Sequence, residues 1–147
     1  MDSCPCLLTR RALLGATGAA GTAAALSACA PSGGGSPAGQ TPGPIPTGGT
    51  PVRVGKVSDV AVGSTAAGSA NGKDVLIYRP EEASVLAYSA VCPHAGCVVA
   101  PAGQEFHCPC HGSIFQPSDG GVQTGPARKP LSRLAAAIDG EWITVSV

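Results

Sequence analysis

Beyond Val52 the chain alternates apolar and polar residues in short runs punctuated by Gly, Pro and Asp. A period of two places every second side chain on one face of a strand. The runs predict strands at Val52–Val57, Val60–Ser64, Asp74–Arg79, Val85–Ala90, Cys97–Ala100, Glu105–Cys108, Ile114–Gln116, Arg133–Ile138 and Trp142–Val147. Asn71-Gly72 marks a tight turn, and Asp139-Gly140, set between two alternating runs, predicts a closing hairpin with a primed turn. No stretch carries the spacing of a long amphipathic helix. Residues 52–147 therefore read as one all-β domain, an antiparallel β-sandwich or small barrel.

Residues 1–51 follow a different rule. Arg10 and Arg11 precede a charge-free run of apolar and small residues over 12–28, the arrangement of an export signal. The arginine pair resembles a twin-arginine signal, which is read by a receptor. The run ends in Leu26-Ser27-Ala28-Cys29, which resembles the bacterial lipobox and implies cleavage before Cys29 and lipid attachment to its sulfur. A plain small-residue cleavage site and an uncleaved helix are the alternatives; residues 12–30 approach the roughly 20 apolar residues of a span. Residues 29–51 are rich in Gly and Pro and have no periodic apolar pattern, so they read as a linker. Its 22 residues after Cys29 reach at most about 70 Å.

Composition narrows the class. Only 12% of residues are charged and the formal net charge is zero, against roughly 25% charged residues in an average protein. A nucleic-acid partner is not expected. Aromatic residues make up 3% of the chain, which predicts a core built mainly of Val, Leu, Ile and Ala, with Tyr88 and Trp142 among its members. Such a light core needs a covalent or metal staple. Of the seven cysteines, Cys92, Cys97, Cys108 and Cys110 crowd into nineteen residues, the clustering of a metal site, a disulfide, or both.

The chemistry concentrates in Cys92-Pro93-His94-Ala95-Gly96-Cys97 and Cys108-Pro109-Cys110-His111-Gly112-Ser113. Each segment offers a thiolate and an imidazole, spaced Cys-x-His and Cys-x-x-His. Two such loops can deliver two sulfurs to one iron and two nitrogens to another, the ligand split of a Rieske [2Fe–2S] centre. A tetrahedral zinc site, or two disulfides with idle histidines, are the other readings. The boxes resemble the C-x-H-x-G-C and C-x-C-H-G-S motifs of the Rieske family, and the resemblance covers the second half of the chain.

The resemblance implies that Cys92 and Cys108 ligate an inner iron and His94 and His111 an outer one, with Cys97 and Cys110 joined as a disulfide. An exported domain would meet the oxidising compartment such a bond requires. Gly96 and Gly112 would let backbone approach the sulfides and donate N–H groups to sulfur. Ser113 matches a family serine that donates to a bridging sulfide. Phe115 stands where high-potential members often carry tyrosine, which implies a lower potential, suited to menaquinol. Gly125-Pro126-Ala127 with Pro130 resembles the family's proline loop, but Arg128 and Lys129 make it more basic. The 13 residues between His94 and Cys108 call for a tight hairpin over Pro101–Gln104. His107 matches no motif position.

No nucleophile, general acid or substrate pocket is legible, so the expectation is a redox subunit or electron carrier rather than a self-sufficient enzyme. It would sit on the outer face of a bacterial cytoplasmic membrane, held by lipid on Cys29 or by an uncleaved helix. Its place would be the iron–sulfur subunit of a cytochrome bc-type quinol-oxidising complex, with cytochrome b or c or a quinol as partner. A stand-alone lipoprotein carrier and the small subunit of another exported oxidase are alternatives. A ferredoxin feeding a ring-hydroxylating dioxygenase fits less well, because that class lacks the disulfide cysteines.

Overall fold

The structure, a computed structural model, describes residues 44–147. The expected leader over 1–28, Cys29 and the linker as far as residue 43 lie outside the described residues. Residues 44–50 are exposed and belong to no strand. Ten strands follow: β1 (Pro51–Lys56), β2 (Ser64–Ala70), β3 (Lys73–Glu81), β4 (Ser84–Ser89), β5 (Ala100–Ala102), β6 (Glu105–His107), β7 (Ile114–Phe115), β8 (Val122–Thr124), β9 (Arg133–Asp139) and β10 (Trp142–Ser146). Among the described residues no helix is long and apolar enough to cross a membrane.

The strands form two antiparallel sheets. The larger runs β1-β10-β9-β4-β3-β2 and the smaller β5-β6-β7-β8. The larger sheet curls towards a barrel: a Cβ on Gly68 of β2 would sit 3.3 Å from Val54 of β1, so a bare backbone lets its two edge strands approach. Chain order makes the smaller sheet an insertion between β4 and β9. Thr65 on β2 ties the two together by donating its hydroxyl to the Gly103 carbonyl at 2.8 Å.

Turn chemistry sets the local registers. Ala70 pairs with Lys73 across Asn71-Gly72, and both turn residues have positive φ, 52° and 76°, as a type I′ turn requires. At the closing hairpin Asp139 pairs with Trp142, so the turn residues are Gly140-Glu141, one position later than the sequence suggests. Gly140 alone has positive φ there, the II′ pattern. Gly103-Gln104 repeats that pattern between Ala102 and Glu105, giving the tight connection that the short His94–Cys108 spacing demands.

Several expected elements move. Val60–Ser64 is not a strand. Val57–Asp59 form a 3-10 turn, whose carbonyls at Val57 and the following Val60 accept the Arg79 guanidinium at 3.2 and 2.9 Å. The strand begins at Ser64 and continues through small residues to Ala70. Cys97–Ala100 reduces to one bridge, Val91 with Val98, before β5. β8 arises where no strand is expected.

The core also differs from its compositional forecast. Tyr88, Phe106 and Phe115 are the largest fully buried side chains, and all three join one apolar cluster with Leu76, Ala90, Cys92, Val99, Cys108, Ala127 and Leu131. Few aromatics thus supply much of the area buried around the two cysteines. Trp142 does not join the core. It alternates with the buried Ile143 and Val145, and its ring lies 5.3 Å from both the Arg53 and Lys56 cations.

Candidate metal centre

Two loops carry the chemistry, one between β4 and β5 and one between β6 and β7. They share a backbone plan. Gly96 N–H donates to the Cys92 carbonyl at 2.8 Å and Gly112 N–H to that of Cys108 at 3.0 Å. In return Cys92 N–H donates to the Cys97 carbonyl and Cys108 N–H to that of Ser113, each at 2.8 Å. Both glycines adopt φ of 75°, where an L side chain is strained.

This geometry corrects the expected role of the glycines. Their N–H groups are spent on the cysteine carbonyls, closing each loop, and the positive φ of both residues favours glycine. The amides that face the Cys108 sulfur are those of Cys110 and His111.

Each loop sends its first cysteine inward. Cys92 and Cys108 are 2% and 1% exposed, both free thiols in one apolar cluster. Burial raises the Cys108 thiol pKa above its ordinary value and the Cys92 thiol adds to the rise, while the two facing amides oppose it. A thiol in the position of Cys108 resists ionisation unless a cation offsets the charge. His94 and His111 are exposed, their ring centroids 4.8 Å apart and their planes nearly perpendicular at 86°. Cys97 and Cys110 are joined by a disulfide that ties one loop to the other. Closing its 13-residue separation is worth about 3 kcal/mol in the chain-entropy model.

Ser113 is fully buried and its Oγ accepts the Ala127 N–H at 3.0 Å. That bond pins the Gly125–Ala127 segment, in which the Gly125–Pro126 peptide is cis, against the second loop. The hydroxyl hydrogen has no acceptor among the described residues and remains available. Phe115 shares the buried cluster with Cys92. His107 ends β6, exposed and paired with Ala100 and Ile114. Two sulfurs, two imidazoles, sulfur-facing amides and an uncommitted hydroxyl are the donor set an iron–sulfur cluster of mixed ligation requires.

A third loop of the same plan went unrecognised in the sequence. Gly120 N–H donates to the Gln116 carbonyl and Gln116 N–H to that of Gly121, each at 2.8 Å, and Gly120 also has φ of 75°. The signal was present: Gln-Pro-Ser-Asp-Gly repeats the x-Pro-x-x-Gly of Cys-Pro-His-Ala-Gly and Cys-Pro-Cys-His-Gly. This loop has no cysteine and serves as a strut. Tyr88 donates its hydroxyl to the Pro117 carbonyl at 2.9 Å, and a Cβ on Gly120 would come within 2.8 Å of the Tyr88 ring. Burial pushes the Tyr88 pKa up to about 12, so the phenol stays a donor at physiological pH.

The model of the Rieske [2Fe-2S] domain matches residues 50–135, and the chain belongs to that family. Its cofactor is one [2Fe–2S] cluster per subunit. The chain is 36% identical over 81 residues to the cytochrome b6-f complex iron-sulfur subunit of Gloeobacter violaceus, a match covering 52% of this chain and 43% of that protein. It is 38% identical over 104 residues to cytochrome b6-f complex iron-sulfur subunit 1 of Synechocystis, covering 67% and 57% respectively. The chain thus spans about half the length of these curated relatives. Among solved structures, the cyanobacterial plasma membrane Rieske protein of Synechocystis matches with a TM-score of 0.58 at 29% identity, over 65% of this chain and 99% of that one. The ferredoxin of carbazole 1,9a-dioxygenase from Nocardioides aromaticivorans matches with a TM-score of 0.54 at 28% identity, over 66% and 97%.

The disulfide offers a first test. Changing Cys97 and Cys110 together to serine is expected to leave cluster in the purified protein but lower domain stability by up to about 3 kcal/mol. Thermal or denaturant unfolding, with visible absorbance as the second probe, reads both effects.

Proposed function

We propose that Cys92, Cys108, His94 and His111 ligate the cluster and that the protein is a one-electron carrier outside the cytoplasmic membrane, the iron–sulfur subunit of a bc-type quinol-oxidising complex. The observation that carries the ligand assignment is the pair of neighbouring, exposed imidazoles contributed by the same loops that bury two free thiols in one apolar cluster. The resident [2Fe–2S] cluster accepts and gives one electron at a time. Cys92 and Cys108, buried in an apolar cluster, would hold the group away from water. His94 and His111 would hold it from the surface, where an exposed imidazole can hydrogen-bond a quinol or a partner protein.

Identity to two cytochrome b6-f iron-sulfur subunits supports the bc-type assignment. Arg10-Arg11, the apolar run after them and Cys29 support export and lipid anchoring, and the disulfide suits an oxidising compartment. Purification of the tagged protein from native membranes in mild detergent checks the assignment. A b-type haem protein should accompany it; recovery alone would favour the stand-alone lipoprotein carrier. Cys29→Ala should release the domain from membranes and Arg10/Arg11→Lys should block export. Membrane retention of Cys29→Ala would favour an uncleaved helix.

A further inference from the structure

The proline loop places charge beside the exposed edge of the site. Pro93, His94, Pro126, Arg128 and Lys129 line one surface cavity of roughly 390 Å³, and no carboxylate is among them. Arg128 and Lys129 are exposed, with no hydrogen-bond or ion-pair partner among the described residues. The other arginines among the described residues are engaged: Arg79 with three backbone carbonyls, Arg53 with Trp142 and Arg133 with Tyr88.

The described residues carry seven Lys and Arg against eight Asp and Glu, so these neighbouring cations do not merely reflect a basic domain. At the foot of the loop that carries His94, Val91 and Val98 pair with each other and remain 59% and 56% exposed. A hydrated anion site with no protein partner needs no such apolar pair. A protein partner can bring several carboxylates to the two cations and apolar residues to the exposed valines on the loop that carries His94.

We propose that Arg128 and Lys129 form a docking site for an acidic electron-transfer protein, its carboxylates seated in the cavity so that its redox centre meets His94. The inference rests on the electron-carrier reading above and adds the charge of the partner. Opposite charges raise the encounter rate and hold the partner in register, and the effect weakens as salt screens it.

The test uses the cluster-loaded full chain and its Arg128→Gln/Lys129→Gln variant. Stopped-flow oxidation of the reduced protein by ferricyanide transfers one electron from protein to reagent, the trianion becoming a tetraanion. Tris(phenanthroline)cobalt(III) takes one electron as a cation and serves as the control. The double variant should lose about tenfold in the ferricyanide rate at low ionic strength, with no loss towards the cobalt reagent after correction for any change in midpoint potential. Poly-L-glutamate, a redox-inert chain of carboxylates, should bind the parent protein in calorimetry and the double variant markedly less.

An unchanged ferricyanide rate would overturn the proposal. So would a slowed ferricyanide rate without polyglutamate binding, which would mark a site for small anions only. Failure of both oxidants to draw an electron would instead count against the electron-carrier reading, and the polyglutamate comparison would still judge the cations on their own.

Discussion

His94→Ala and His111→Ala are each expected to yield protein with little or no intact two-iron cluster. Each substitution would remove one of the two proposed nitrogen ligands, and His107 cannot replace it, since it belongs to β6 and is absent from both loops. The parent protein should contain two irons and two labile sulfides, and when reduced give the low average g of mixed sulfur and nitrogen ligation. Iron and sulfide analysis with EPR reads the loss. The Cys97→Ser/Cys110→Ser protein is the matched comparison, since it perturbs the same two loops without removing a proposed ligand. Equal loss of cluster in all three variants would show that the division of the cysteines is wrong. A colourless parent holding one zinc would overturn the ligand assignment entirely.

The second large effect concerns reduction potential. Ser113 is fully buried and already accepts from Ala127, so its hydrogen is the part of the hydroxyl left to donate to sulfur. A hydrogen bond to a charged acceptor is worth about 1.5–3 kcal/mol. With 59 mV per tenfold for one electron, Ser113→Ala should lower the midpoint by roughly 65–130 mV. The same change orphans the Ala127 N–H, a cost of about 1–3 kcal/mol to the domain. Phe115→Tyr works in the opposite sense, because Phe115 is fully buried in the cluster that contains Cys92. A hydroxyl placed there must find an acceptor, and the Cys92 sulfur offers one, so the midpoint should rise by a comparable amount. Redox titration of both variants decides. An unchanged midpoint in Phe115→Tyr beside a lowered one in Ser113→Ala would mean that the ring at 115 is not aimed at Cys92.

Local chemistry was legible where a few consecutive residues dictate it. The two boxes, the Asn71-Gly72 turn and the tight hairpin before Cys108 depend on short-range geometry, and sequence spacing reports that directly. Most strands were legible for the same reason, since a side-chain period of two survives in the sequence. β2 was not, because Ser64–Ala70 holds only small residues with little hydrophobic contrast. It is a strand because β3 pairs with it along its length and because bare backbone at Gly68 admits β1. Trp142 failed in the opposite way: its hydrophobicity suggested burial, but the alternation along β10 assigns the inward face to Ile143 and Val145.

What the sequence alone determined, then, is the chemical inventory, the β class and the loops, all properties of neighbours in the chain. Only the tertiary structure decided which donors are spoken for. The glycine amides close their own turns, the Cys110 and His111 amides face sulfur, and Ser113 spends its lone pair on Ala127. Tertiary structure likewise brought Arg128 and Lys129 into one cavity with His94, and gathered three of the few aromatic rings around Cys92 and Cys108. The physical reason is common to all of these. A hydrogen bond or a burial is settled by the groups that compete for the same space, and in this fold those groups arrive from separate strands and loops.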